Sequence, residues 1–123
     1  MKNLAVCISG YGSNLQAIID ACKTKKINAK IQIVASNKAN AYGLKRAKET
    51  NISTFVSKDI YSIFSKIDEL RIALIILAGF MKIIHANIVK KHRNKIINIH
   101  PSLLPRFPGL NSIKRALNEA KKS

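Results

Sequence analysis

The chain has 123 residues, with 22 Lys and Arg against six Asp and Glu, and carries a formal net charge of +16. That length supports one domain with a real core and argues against a second. No run reaches the ~18 to 20 uninterrupted apolar residues that a membrane span needs, and Met1-Lys2-Asn3 leads into a strand pattern rather than a signal peptide, so a cytoplasmic location is expected.

In chain order, strands alternate with helices. Leu4 to Ile8 is an apolar run, predicted as a buried first strand, and it ends in Ser9-Gly10-Tyr11-Gly12-Ser13-Asn14. A helix starts there: Leu15, Ile18, Ile19 and Cys22 recur at i, i+3, i+4 and i+7, and Lys23 to Lys26 suit its negative end. Ile31 to Ala35 is a second strand, Ala41 to Thr50 a modest helix, and Ile52 to Val56 a third strand. Asp59 is placed to cap a helix that aligns Ile60, Ile63, Phe64, Ile67 and Leu70 on one face. Ile72 to Ala78 is the most hydrophobic segment and is expected at the centre of the sheet. A short helix around Ala86 to His92, a fifth strand from Lys95 to His100, and an amphipathic helix after Gly109 complete the pattern. The alternation implies an α/β fold: a Rossmann-like open, mostly parallel sheet with helices on both faces.

Two stretches carry candidate chemistry. Gly10-x-Gly12 with Ser13 and Asn14, at a strand-to-helix turn, offers backbone amides, a hydroxyl and a helix N-terminus to an anion. A phosphate monoester fits better than a dinucleotide. The third glycine of the dinucleotide pattern is missing, and Ala35-Ser36-Asn37-Lys38 lacks the acid that would hold a ribose. The second stretch is Ile96-Ile97-Asn98-Ile99-His100-Pro101, where an Asn and a His two positions apart should share one face of a buried strand. Burying both without partners would cost roughly 1 to 3 kcal/mol each, which favours a functional pair able to polarise a carbonyl and hold an oxyanion. His85 and His92 have no comparable partner nearby and are read as surface residues; Cys7 and Cys22 read as small core residues, and neither a metal site nor a disulfide is expected.

The lysines are spread over helix ends and turns, among them Lys23, Lys25, Lys26, Lys45, Lys48, Lys90, Lys91, Lys121 and Lys122, without aromatic interleaving. That distribution favours a general bias toward Lys, Ile and Asn over a specific nucleic-acid site. No membrane partner is expected, and the oligomeric state stays open.

Four blocks together closely resemble the phosphoribosylglycinamide type of folate-dependent formyltransferase. They are Ser9 to Ala17, Ser36-Asn37-Lys38-Ala39, Leu77-Ala78-Gly79-Phe80-Met81, and Asn98 through Ser102-Leu103-Leu104-Pro105-Arg106-Phe107-Pro108-Gly109 to Leu110. The resemblance implies transfer of a formyl group from 10-formyltetrahydrofolate, as co-substrate and without a metal, to the amine of phosphoribosylglycinamide in purine biosynthesis. It implies that Gly12, Ser13 and Asn14 bind the substrate phosphate, that Met81, Lys82, Ile83 and Ile84 together with Asn98 bind the folate, and that Asn98 and His100 are catalytic. Where Lys82 stands the family usually has Arg. The family also continues further, with a His-Gly-Thr-Ser-type block and an acidic residue that raises the pKa of the catalytic His. Residues 1 to 123 are therefore expected to be the N-terminal portion of a single formyltransferase domain, truncated at its C-terminus. Without that acid, His100 would be mostly neutral at about pH 7. The last block is shared with other formyltetrahydrofolate enzymes, the deformylase and methionyl-tRNA formyltransferase. Those alternatives, and a non-catalytic basic remnant, stay open.

Overall fold

The computed structural model describes residues 1–99 and 109–122. Five strands and five helices alternate: β1 (Lys2–Ile8), α1 (Ser13–Lys23), β2 (Ala29–Ser36), α2 (Tyr42–Glu49), β3 (Ser53–Val56), α3 (Ile60–Asp68), β4 (Leu74–Ala78), α4 (Ala86–Lys91), β5 (Ile96–Ile99) and α5 (Gly109–Lys122). All four strand pairings are parallel, in the order β3-β2-β1-β4-β5. The expected fold class is the one observed.

β1 occupies the middle of the sheet, not the more hydrophobic β4. Every residue from Leu4 to Ile8 is fully buried, and Leu74 to Ala78 are buried as well, so two-sided burial alone does not rank them. The order follows from the crossovers. The chain steps outward from β1 through β2 to β3, then returns to the other side of β1 for β4 and β5.

Alternation along each strand divides the core in two. Leu4, Val6 and Ile8 of β1 and Leu74, Ile76 and Ala78 of β4 pack with Leu15 and Ile18 of α1, Leu44 and Ala47 of α2, and Ile113 and Leu117 of α5. Ala5, Cys7, Ile75 and Leu77 point to the opposite face, against Ile60, Ile63, Phe64 and Ile67 of α3 and Ile88 of α4. In β2, Ile31 and Ile33 are two apart yet face opposite clusters, because the register with β1 shifts between Leu4 and Ala5. α3 starts as the sequence predicts: Asp59 accepts hydrogen bonds from the Tyr61 amide at 3.1 Å and the Ser62 hydroxyl at 3.0 Å.

Among the described residues, no helix is long and apolar enough to cross a membrane.

Candidate functional site at the sheet switch point

Between β1 and β4 the chain direction of the winding reverses, and the loops after those two strands diverge to opposite faces. The crevice above such a switch point is the natural ligand site of an open parallel sheet. The turn after β1 forms one wall. Gly12 adopts φ of 82°, a left-handed conformation that lets the backbone fold under the first turn of α1, where the Gln16 amide donates to the Gly12 carbonyl at 2.9 Å. A second glycine, Gly43 at the start of α2, allows close approach: a Cβ on Gly12 would lie 2.8 Å from the Gly43 Cα, and the Gly43 amide donates to the Gly10 carbonyl at 3.1 Å. The N-termini of α1 and α2 thus converge on one turn, with Ser13 exposed at its lip and Asn14 buried beneath it. Neither α1 nor α2 has an acidic residue in its first turn, which leaves these two ends electropositive.

Arg46 braces this turn from behind, a role that no local sequence signal marked. Its Nε donates to the Tyr11 carbonyl at 3.0 Å and its Nη1 to the Gln16 side-chain oxygen at 3.2 Å. The guanidinium also lies 4.5 Å from the Tyr11 ring and 5.0 Å from the Tyr42 ring, which stack on each other at 5.1 Å. The signal lay in a contact spanning 35 positions, beyond any helical or strand period.

The loop after β4 forms the other wall. Gly79 turns the chain at φ of 69°, and Met81 and Ile83 then project with 76% and 79% of their surface exposed. Lys82 is exposed between them, whereas Ile84 packs against the α3/α4 side of the core. Ser9 connects the two walls. Its hydroxyl, on a residue only 4% exposed, accepts from the Met81 amide at 2.8 Å and donates to the Asn37 side-chain oxygen at 2.5 Å.

Asn98 sits on β5 in register with Leu77, near the end of β4, so the third expected element borders the same crevice. Its side chain is exposed rather than buried as the strand pattern suggested, because β5 is the outermost strand on its side among the described residues. His100 and the segment Pro101 to Pro108 lie outside the described residues, as does the expected alignment of His100 with Asn98.

His92 differs from its sequence-based assignment as a surface residue. It is 5% exposed and held between α3 and α4, with Nδ1 2.7 Å from the Ile88 carbonyl and Nε2 2.7 Å from Asp68 Oδ1, and its ring edge against Phe64. Lys91 also reaches Asp68, at 3.0 Å. Burial pushes the Asp68 carboxyl upward, but the bonds and positive charges of His92 and Lys91 outweigh it and hold the carboxyl below its usual range. Asp68 precedes β4 and His92 precedes β5, so this pair ties the helices together at the strand starts, away from the crevice. His85 is exposed as expected and stacks on Tyr61 at 5.4 Å. Burial pushes the Cys7 thiol up to about 12, in keeping with a core residue, and raises Cys22 as well. No group of three or more potential metal ligands occurs among the described residues.

With its glycine turn at the switch point of an open parallel α/β sheet, the chain belongs to the formyl transferase family, whose sequence profile matches residues 2–123. Within the family, its similarity runs to enzymes of one kind. It is 46% identical over 124 residues to the phosphoribosylglycinamide formyltransferase of Escherichia coli (strain K12), which covers 94% of this chain and 58% of the relative. It is 48% identical over 126 residues to the enzyme of the same name from Haemophilus influenzae, covering 95% and 59%. The fold superposes on the crystal structure of glycinamide ribonucleotide transformylase 1 from Geobacillus kaustophilus with a TM-score of 0.76 at 37% identity, covering 99% of this chain and 68% of that one. The chain thus spans less than three fifths of the length of the two curated relatives.

Proposed function

We propose that residues 1–123 are the N-terminal portion of a phosphoribosylglycinamide formyltransferase domain, acting in purine synthesis with 10-formyltetrahydrofolate as co-substrate. The observation that carries this reading is the pairing of a glycine turn after β1 with a loop after the adjacent β4 that exposes Met81 and Ile83, the two joined through the Ser9 hydroxyl. Such a pair suits one ligand that offers a phosphate and another that offers a flat ring to lie against apolar side chains.

The amides and hydroxyl of Gly12, Ser13 and Asn14 receive the substrate phosphate. Met81, Lys82, Ile83 and Ile84 line the place of the pterin. In the reaction the glycinamide amine attacks the formyl carbon, the new C–N bond forms, and the bond from that carbon to the folate nitrogen breaks. The amine gives up a proton and the departing folate nitrogen gains one. Asn98 donates a hydrogen bond to the oxyanion of the tetrahedral intermediate, and His100, protonated once the acidic residue of the family's C-terminal segment stands beside it, supplies the second donor and the proton path.

Thermal stability of the purified chain, followed during a titration with glycinamide ribonucleotide at fixed salt, tests the substrate assignment. A saturable rise is expected, about 2.7 kcal/mol of stabilisation at a hundredfold excess over Kd. The rise should vanish when Ser13 and Asn14 are both replaced by Ala. No rise from a cooperatively melting protein refutes the assignment. A formate-release assay with and without the amine separates transfer to glycinamide ribonucleotide from transfer to water. A homologous C-terminal segment added to the chain is expected to raise turnover.

A further inference from the structure

We propose that the Ser9 hydroxyl is a positioning group that couples the phosphate turn to the 81–84 loop, so that the two substrates bind cooperatively. The proposal rests on the reading of those segments as two subsites of one reaction. Ser9 is the last residue before the glycine turn, at the end of the central strand. Its one hydroxyl serves both neighbouring strand ends: it donates to Asn37 Oδ1 after β2 and accepts the Met81 amide after β4, at separations of 28 and 72 positions in the chain.

The chemistry of a hydroxyl makes this a relay rather than two independent contacts. It has one hydrogen, and Asn37 takes it. That fixes the lone pairs toward Met81, and a better-aimed acceptor is a stronger one, since successive bonds polarise each other. Asn37 is itself held by its own turn, in which the Ser36 hydroxyl bonds to both the amide and the carbonyl of Lys38 at 3.0 Å. The Ser57 amide in turn donates to the Ser36 carbonyl at 3.1 Å. A continuous polar rim therefore runs from the end of β3 to the loop after β4, and Ser9 is the joint at which it meets the phosphate turn. The Ser36-Asn37 block acquires a role here: it orients Ser9. Displacement of Met81 by a bound pterin shifts the hydroxyl, and the turn responds through Gly10, the covalent neighbour of Ser9, whose carbonyl accepts from the Gly43 amide at 3.1 Å.

Amide exchange of Met81 in the full chain, compared among Ser9→Ala, Asn37→Ala, Asn37→Asp and the Ser9→Ala/Asn37→Ala double variant, tests the relay. Losing one neutral hydrogen bond should speed Met81 exchange about three- to tenfold in Ser9→Ala. Asn37→Ala should speed it too, although Asn37 does not touch Met81, and the double variant should be no faster than Ser9→Ala alone. Asn37→Asp keeps the acceptor and gives it a charge, so Met81 should exchange no faster than in the parent. The Ile63 amide in α3 should stay unchanged throughout, which separates the relay from general loosening. An unchanged Met81 in Ser9→Ala, or additive effects in the double variant, overturns the relay; Asn37→Ala alone decides it if Ser9→Ala does not fold. Glycinamide ribonucleotide and tetrahydrofolate are then titrated singly and together. Each should tighten the other in the parent, while in Ser9→Ala each binds alone but the mutual effect is lost. Both ligands binding the parent independently overturns the cooperative role. If the parent fails to bind glycinamide ribonucleotide, the proposed function falls, and the exchange data still decide the linkage at Ser9.

Discussion

At the scale of single residues, Gly12 joins backbone geometry to the anion binding proposed for its turn. Its φ of 82° disfavours any side chain, and an added Cβ would stand 2.8 Å from backbone at Gly43. Gly12→Ala is therefore expected to destabilise the fold by about 1–3 kcal/mol and to abolish stabilisation by glycinamide ribonucleotide, read from urea denaturation and ligand titration on the same samples. Asp68 supplies a pH-dependent counterpart away from the site. Its carboxyl is more acidic folded than unfolded, so the stabilisation is present above the unfolded carboxylate range and is lost as pH falls through the folded value. Measured between about pH 5 and pH 3, the parent should lose stability more steeply than Asp68→Asn, whose difference from the parent should shrink toward the acid end. Equal slopes would mean that His92 and Lys91 do not favour the charged carboxylate.

At the scale of elements, local pattern was enough for most boundaries, because strand and helix periods differ and the caps are written in single residues. Asp59 is the case in point: an acceptor just before an apolar helical face, found bonded to the Tyr61 amide. Asp59→Ala should cost about 1 kcal/mol by chemical denaturation, whereas Asp59→Asn, also a good cap, should cost a few tenths. What local pattern did not carry was the lateral order of strands. β1 and β4 are both buried on two faces, and the crossovers, not their hydrophobicity, put β1 in the middle. The same limit explains the misplaced polar groups. His92 looked like a solvent-facing residue because its partner Asp68 is 24 positions away, and Asn98 looked buried because nothing in its own strand shows that β5 is outermost among the described residues. The glycine turn and the 81–84 loop could be recognised as blocks, while Arg46 and Ser9, which hold them, act through contacts between segments far apart in sequence.

At the scale of the molecule, a net charge of +16 on 123 residues sets a repulsive background, and its arrangement matters more than its size. Basic residues occupy the last turns of α1 to α4: Lys23, Arg46 with Lys48, Lys66, and Lys90 with Lys91. There the helix dipoles favour them, and the opposite ends of α1 and α2, with no acid in their first turns, stay electropositive, whereas Asp59 caps that of α3. The acidic side chains are too few to neutralise the surface, although Lys66 with Glu69 and Lys91 with Asp68 form pairs. Repulsion among the remaining exposed cations acts over about a Debye length, roughly 10 Å at 0.1 M salt and 30 Å at 0.01 M. Raising sodium chloride from about 0.01 M to 0.1 M should therefore raise the thermal midpoint. Specific anion capture at the glycine turn could produce the same rise, and the two causes separate in one variant. If self-repulsion is responsible, the chain with Ser13 and Asn14 both replaced by Ala gains as much from chloride as the parent does, and loses only the extra gain that inorganic phosphate gives at matched ionic strength. A chloride effect that disappears in that variant would place the salt dependence in the site rather than in the charge of the whole molecule.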